Sequence, residues 1–265
     1  MGIVYSNDST AIAYDKAGSG LPLILVDGAL CSRTNGPNGP LAALLQQHFT
    51  VFTYDRRGRG DSGDMKPYDI EREVEDIAAL IEEAGGSAFV YGISSGAALA
   101  LEAANRLSSI KKLALYEAPF VVDNSRTPVP EDYMEQMEGL LTSGRRSAAV
   151  KHFMRKGVGL PAPIVAIMPL MPAWSKLKAV AHTLPYDTLL TLDHQRGSAL
   201  TLNRWSSITV PTLVAVGGKS PAWMRNAMQS LADVLPSAKL ETLEGQTHIV
   251  KPAALAPILN NYFLK

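Results

Sequence analysis

The feature that most constrains the fold is a five-residue turn, Gly92-Ile93-Ser94-Ser95-Gly96, set between two apolar segments. Residues 88–91 before it have the composition of a buried strand, and the Ala-rich residues 97–104 after it predict a helix. In a turn this tight, a β-carbon at Gly92 or Gly96 would collide with the neighbouring strand or helix. Such a unit lifts the Ser94 hydroxyl above a sheet and points the N–H groups of the helix start toward it.

The rest of the chain repeats this alternation of short apolar runs and helical patterns, which predicts a mostly parallel, doubly wound α/β sheet. Strands are predicted at residues 23–26, 51–54, 88–91, 112–116, 212–216 and 239–243. Helices are predicted at residues 41–47, 70–84, 96–106, 221–235 and 253–263. In the second of these helices apolar residues recur at helical spacing, and we expect its acidic residues, Glu71, Glu73, Glu75 and Glu82, to face away from the core.

Between about residues 120 and 195 the alternation stops, and seven prolines separate short helical segments. This pattern predicts a helical cap, residues 120–195, inserted into a single domain that spans residues 1–265. The apolar side chains of the cap either hold it on the core or line an apolar pocket for an acyl group. The candidate pocket residues are Met168, Met171 and Trp174 of the cap, together with Trp223 of the loop after the strand at 212–216.

Composition narrows the expected partners. Lys plus Arg and Asp plus Glu number 25 each, so no net charge draws the chain to nucleic acid or to an anionic membrane. A small, weakly charged molecule is the expected partner. The sequence has no paired Cys or His spacing and no phosphate-binding Gly motif, so we expect neither metal nor cofactor. The single cysteine, Cys31, and the absence of a secretory leader pattern favour a cytoplasmic protein.

A serine hydroxyl becomes a strong nucleophile only when a base removes its proton, so a histidine must approach Ser94 from elsewhere in the chain. His248 is the best placed of the five histidines because it follows the last predicted strand. His48 lies at a helix end, and the other three histidines fall in or near the predicted cap.

The Ser94 turn, the late histidine and the segment Tyr54-Asp55-Arg56-Arg57-Gly58-Arg59-Gly60-Asp61-Ser62 together resemble the α/β-hydrolase superfamily. The resemblance covers nearly the whole chain and implies the α/β-hydrolase fold with a serine, an acid and a histidine acting together. It also implies an oxyanion hole made by the backbone N–H groups of Ser95 and Ala29. In the family the arginine-rich segment is a structural loop, and we expect its arginines to pair with the neighbouring Asp55, Asp61 and Asp64.

Two positions depart from the family pattern. Asp27 stands where members that resemble this chain usually have histidine before the glycine of the oxyanion loop. The loop at residues 217–223, where the family usually carries its acid, contains no carboxylate. Glu117, at the end of the strand after the Ser94 helix, is the alternative acid, unless it is a structural residue at the base of the cap. Weaker candidates are Asp187, Asp193 and Glu244.

These residues favour a serine hydrolase of small to medium carboxylic esters, with lactones or thioesters as close alternatives. Carbon–carbon bond hydrolysis is possible with the same residues. A slow or non-catalytic ligand-binding member is a further alternative, because the usual acid is missing and Asp27 departs from the pattern of the oxyanion loop. A serine at the turn argues against haloalkane dehalogenase or epoxide hydrolase chemistry, for which the resembling families use aspartate.

Overall fold

The computed structural model describes the backbone of residues 1–265 and every side chain except those of residues 202 and 203. Eight strands of this backbone form one sheet. They are β1 (Gly2–Tyr5), β2 (Ala11–Ala17), β3 (Leu21–Val26), β4 (Phe49–Tyr54), β5 (Ala88–Ile93), β6 (Ile110–Tyr116), β7 (Thr212–Gly217) and β8 (Ala238–Leu243). The strand order is β1-β2-β4-β3-β5-β6-β7-β8, and all six predicted strands are present.

The sheet is antiparallel only at one edge, where β1 pairs with β2 and β2 pairs with β4. From β4 to β8 all pairs are parallel, so these strands end at one edge of the sheet. In the register Val26 pairs with Gly92, and Ile93 pairs with Tyr116. The loops that follow β3, β5, β6 and β7 therefore meet at this edge, which is where ligands bind in open α/β sheets.

Helices cover both faces of the sheet. Apolar residues of α1 (Asn38–Leu45) and α11 (Pro252–Phe263) pack on one face. Residues of α2 (Ile70–Glu83), α3 (Ser95–Ala104) and α10 (Ala222–Val234) pack on the other. Every residue of β5 and β7 is buried, as expected for strands covered on both sides.

Helix α2 begins after Asp69, whose side chain caps the first turn by accepting a hydrogen bond from the backbone N–H of Glu71 at 2.8 Å. One prediction for this helix is wrong. Glu73 is buried, and its carboxylate binds the guanidinium of Arg56 at 2.6 and 2.7 Å. Helical periodicity placed Glu73 outside because it counts every carboxylate as exposed, including one that has a buried partner.

Between β6 and β7 the chain forms α4 (Tyr133–Thr142), α5 (Arg146–His152), α6 (Ala162–Ile167), α7 (Trp174–Ala179), α8 (Leu184–Thr191) and α9 (Leu202–Trp205). A π-helical turn, Phe153–Gly157, follows α5. These helices have their own apolar core, which includes Met137, Val150 and Leu184. Helix α9 lies beyond residue 195, where the cap was predicted to end. No helix in the described part of the chain is long and apolar enough to cross a bilayer.

Candidate active site

Ser94 lies at the junction of β5 and α3, and the geometry of this junction explains both flanking glycines. A β-carbon on Gly92 would lie 2.3 Å from the backbone oxygen of Gly96, and one on Gly96 would lie 2.4 Å from the backbone oxygen of Val26. Ser94 itself has φ 58° and ψ −130°. The side chain is half-buried and lines a cavity of about 340 Å³.

Strained backbone is concentrated at this edge of the sheet. In the described backbone, four residues other than glycine have positive φ, and three of them, Leu30, Ser94 and Glu117, follow β3, β5 and β6. Such conformations cost about 1–3 kcal/mol each and persist only where surrounding contacts hold them. Their clustering marks this edge as the candidate active site.

Glu117 and His248 form a direct pair. Oε2 of Glu117 lies 2.8 Å from Nδ1 of His248. Oε1 of Glu117 accepts hydrogen bonds from the backbone N–H of Gly217 at 2.7 Å and from the hydroxyl of Ser220 at 2.5 Å. The Glu117 side chain is fully buried, whereas His248 is 37% exposed and lines the same cavity as Ser94. Glu117 therefore orients His248 toward the cavity.

The loop that carries His248 is attached to the strands beneath it. The hydroxyl of Tyr116 donates a hydrogen bond to the backbone oxygen of Thr247 at 2.7 Å. The backbone N–H of Lys219 donates to the backbone oxygen of Gln246 at 2.8 Å. These bonds join the ends of β6 and β7 to the histidine loop and fix the position of His248.

The loop after β3 lies beside Ser94. A β-carbon on Gly28 would lie 3.0 Å from Cβ of Ser94, so the backbone of this loop approaches the serine closely. Ala29 and Ser95 both line the cavity. Ser95 is the first residue of α3, and the N–H groups of a first helical turn have no acceptor within their helix. The two predicted oxyanion residues, Ala29 and Ser95, thus line the same cavity as Ser94, and their catalytic role stays a prediction.

The arginines of the segment at residues 54–62 bind carboxylates that the sequence analysis did not predict as their partners. Arg56 and Arg59 bind the two carboxylate oxygens of Asp187 in α8, at 2.8 and 2.7 Å. Arg59 also donates to the backbone oxygen of Gly28 at 2.7 Å, and Ser95 Oγ donates to Asp187 at 2.8 Å. Burial raises the pKa of Asp187, but the charges of Arg59 and Arg56, together with hydrogen bonds from Ser95 and Arg59, lower the pKa below its ordinary value, so the carboxylate is ionised.

The expected pairing of these arginines with adjacent acids is therefore wrong. Arg57 binds Asp76 and Asp8, at 2.6 and 2.9 Å. Asp55 and Asp61 instead bind Arg33, at 3.0 and 2.7 Å. The local sequence favoured ion pairs between residues that are close in the chain. In the folded protein, the carboxylates that bind these buried arginines come from distant segments of the chain.

Asp27, the departure from the family pattern in the oxyanion loop, is buried and its Oδ1 has no hydrogen-bond partner. Burial raises the pKa of Asp27 to about 7, and the charges of Arg59 and Arg56 oppose that rise only in part. Arg56 lies 3.3 Å from the backbone oxygen of Asp27 and not within ion-pair distance of its carboxylate. Asp27 is thus a carboxyl group without a charged partner among the described residues.

The structure places the four predicted pocket residues in different surroundings. Trp223 lines the cavity, together with apolar residues of the cap and of α10. Met168 and Trp174 are buried in the core of the cap, and Met171 is 51% exposed. None of these three is among the described residues that line the cavity. The cavity wall is formed instead by Tyr133, Phe153, Val158, Leu160 and Met224.

Sequence reasoning missed Ser220 and Asp187 as supporting residues. Ser220 lies in the loop at residues 217–223, where the sequence predicts a pocket residue, Trp223, and no acid, and Asp187 is predicted only as a weaker candidate for the acid that binds the histidine. The spacing of Asp187 within α8 contains no signal for its contact with Ser95, which lies 92 positions away in the sequence. In the described part of the chain, no group of three His, Cys, Asp or Glu side chains is placed to hold a metal ion.

Comparison with known proteins agrees with the fold. The model of the Alpha/beta hydrolase family matches residues 30–258, and the chain belongs to that family. A solved α/β hydrolase from Sphaerobacter thermophilus DSM 20745 is 52% identical, with a TM-score of 0.92, and the match covers 99% of this chain and 100% of that one. The enol-lactonase from Burkholderia xenovorans LB400 is 21% identical with a TM-score of 0.74 over the full length of both chains, a likeness that shows the fold.

Among curated proteins, a probable alcohol acetyltransferase from Wickerhamomyces anomalus is 23% identical over 168 residues. The matched stretch is 57% of this chain and 48% of that protein. The chain thus spans about half the length of this relative.

Proposed function

We propose that the protein is a serine hydrolase that cleaves small to medium carboxylic esters through an acyl-enzyme on Ser94. The observation that carries this proposal is the pairing of fully buried Glu117 with His248 in the cavity that Ser94 also lines. Ser94 follows β5, Glu117 follows β6 and His248 lies in the loop after β8. Together they provide the nucleophile, the acid and the base that acyl transfer needs.

In the proposed mechanism, Nδ1 of His248 is bonded to Glu117, so Nε2 accepts the proton of Ser94 as its oxygen attacks the ester carbonyl. The backbone N–H groups of Ala29 and Ser95 stabilise the negative oxygen of the tetrahedral intermediate. The intermediate collapses, His248 protonates the departing alcohol, and the acyl group remains on Ser94. Water, deprotonated by His248, then attacks the acyl-enzyme and releases the carboxylic acid.

The lining of the cavity supports an acyl group that is apolar next to its carbonyl. Phe153, Val158, Leu160 and Met224 are among the apolar residues that line the cavity. Arg56 and Arg59, in the loop after β4, are neutralised by Asp187 and Glu73. A lactone or a thioester offers the same carbonyl chemistry and fits the same wall.

Active-site labelling tests the proposal directly. A fluorophosphonate probe should label the wild-type protein stoichiometrically, and Ser94→Ala should remove both labelling and nearly all hydrolysis of p-nitrophenyl esters. His248→Ala should reduce hydrolysis to a similar level, because the groups act as a unit. The exposed Ser175→Ala on α7 is the matched control and should behave as wild type. Half the wild-type rate in folded Ser94→Ala would reject the proposal.

A further inference from the structure

A second concave site lies in the cap, next to the cavity that Ser94 lines. It has a volume of about 300 Å³, and its charged lining residues are Arg126, Arg155 and Lys156. We call it the basic groove. In the described part of the chain no carboxylate lines it. A concentration of positive charge is notable in a protein with equal numbers of acidic and basic residues.

The cations of the basic groove are not compensated by the protein. Arg56, Arg57 and Arg59 each bind one or two carboxylates within 2.9 Å. No such ion pair joins Arg126, Arg155 or Lys156 to any acid whose side chain the structure describes. Three uncompensated cations around a concave site attract an anion.

Arg126 is the most constrained of the three. Its Nη2 donates to the backbone oxygens of Lys156 and Gly157, at 2.9 and 2.5 Å, and its guanidinium lies 4.6 Å from the centre of the Trp223 ring. Nη1 is buried and has no hydrogen-bond partner. Burial lowers the pKa of Arg126 because it removes water from the charged guanidinium, and the nearby Tyr133 opposes this shift only in part. An anion in the groove would stabilise this charge.

The basic groove and the cavity at Ser94 share a wall. Gly159 lines both, and the π-helical turn Phe153–Gly157 presents Phe153 to the cavity and Arg155 to the groove. Trp223, which contacts Arg126, also lines the cavity. A molecule that occupies the cavity therefore lies next to the groove at the segment 157–160.

We propose that the basic groove binds a carboxylate at the far end of the substrate's acyl chain, while the ester carbonyl lies at Ser94. This inference rests on the proposed function and makes it more specific. The preferred substrate is a monoester of a dicarboxylic acid whose apolar chain runs along Phe153, Val158 and Leu160. Arg155 and Lys156 bind its free carboxylate, and Arg126 supports the field of the groove.

Kinetics on paired substrates test the proposal. Mono-p-nitrophenyl esters of dicarboxylic acids, from succinate to sebacate, are compared with neutral p-nitrophenyl esters of the same chain length. The kcat/KM ratio of acidic to neutral ester should reach a maximum at one length, because only a chain that spans from Ser94 to the groove gains the contact. At that length the ratio should fall about tenfold in Arg155→Gln/Lys156→Gln and decrease with added NaCl.

The matched control is Lys176→Gln/Lys178→Gln, which removes two positive charges from α7 in the same cap but outside the groove. It should keep the wild-type ratio. Lys156→Gln alone, at an exposed position, serves if the double variant does not fold. A ratio without a maximum, or one that the folded groove variants leave unchanged, would overturn the proposal.

A binding measurement separates this inference from the proposed function. Calorimetric titration of Ser94→Ala with the monomethyl ester of suberic acid should give a Kd about tenfold lower than for Ser94→Ala/Arg155→Gln/Lys156→Gln. This readout requires no hydrolysis, so it judges the groove even if Ser94 proves not to be the nucleophile. Equal affinity in the two proteins would count against the groove alone.

Discussion

The Glu117 side chain satisfies three donors that come from two separate segments, the end of β7 with the loop after it and the loop that carries His248. Gly217 and Ser220 donate to Oε1, and His248 Nδ1 is bonded to Oε2. A fully buried carboxylate is costly unless hydrogen bonds satisfy it, and this set satisfies both oxygens. Its positive φ of 49° is a further cost that these contacts offset.

Glu117→Gln should lower kcat by about 10²- to 10⁴-fold with little change in KM. A glutamine amide has one acceptor and one donor end, so in either orientation its NH₂ meets a donor, at His248 or at Gly217 and Ser220. His248 would then lose the partner that stabilises its charged form during attack. Kinetics on a p-nitrophenyl ester measure the effect.

The matched control for this prediction is Glu244→Gln, which changes an exposed carboxylate on the histidine loop and should leave kcat at the wild-type value. Near-normal kcat in a folded Glu117→Gln protein, with an unchanged melting temperature, would show that the acid lies elsewhere. A lowered melting temperature with normal kcat would indicate a structural role for Glu117.

The sequence could place Glu117 at a strand end, because the apolar run before it predicts β6 and the usual acid loop has no carboxylate. It could not predict Ser220 as a donor to Glu117. The two residues are 103 positions apart, and their contact depends on how β6 and β7 pair. Strand ends follow from local patterns, whereas contacts across the sheet edge follow from the register.

Among the secondary-structure elements, Asp187 joins four segments that the sequence treats separately. Its carboxylate, on α8 of the cap, binds Arg56 and Arg59 of the loop after β4 and the Ser95 hydroxyl at the start of α3. Arg59 extends the network to Gly28 in the loop after β3. Buried ion pairs and hydrogen bonds thus connect the cap to the loop after β3 and to the start of α3, the two segments that carry the predicted oxyanion residues.

Asp187→Asn should reduce the free energy of unfolding by about 3 kcal/mol, because it leaves Arg59 buried without a carboxylate partner. We also expect a lower kcat/KM, since Gly28 and Ser95 lose the group that positions them. Urea denaturation and ester kinetics measure the two effects. Asp193→Asn, at an exposed position just after α8, is the control and should change neither. A wild-type stability for Asp187→Asn would contradict the role assigned to this network.

Elements with a strong apolar pattern were predicted, and those without one were not. Strand β2, residues Ala11–Ala17, was missed because only its first half is buried, and Asp15 and Lys16 in its second half face solvent. The pairings of the arginine-rich loop were predicted wrongly for a different reason. Arg56 and Arg59 bind an aspartate 131 and 128 positions away, and no local pattern records such a separation.

For the whole molecule, equal numbers of acidic and basic residues mean that individual buried groups, and not net charge, set how stability varies with pH. Asp27 is the clearest such group. It is buried, its Oδ1 has no hydrogen-bond partner, and burial raises its pKa to about 7. The folded protein therefore holds a proton on Asp27 at pH values where the unfolded chain, with a carboxyl pKa of about 3.9, has released it.

Asp27→Asn should remove one pH-dependent part of the stability. Between about pH 4 and pH 7 the folded state binds the Asp27 proton more tightly than the unfolded state does, so raising the pH lowers the free energy of unfolding, by at most about 1.4 kcal/mol per pH unit for this group. Above pH 7 both states are deprotonated there and the contribution becomes constant. Asparagine resembles the neutral carboxylic acid and does not titrate, so the stability of the variant relative to wild type should increase from pH 4 to pH 7 and then level off.

Urea denaturation across this range measures the difference, with Glu241→Gln at an exposed position of β8 as the control that should follow wild type. If the difference between Asp27→Asn and wild type were independent of pH, Asp27 would be ionised in the folded protein, and its charge would have to be balanced by the nearby Arg56 and Arg59.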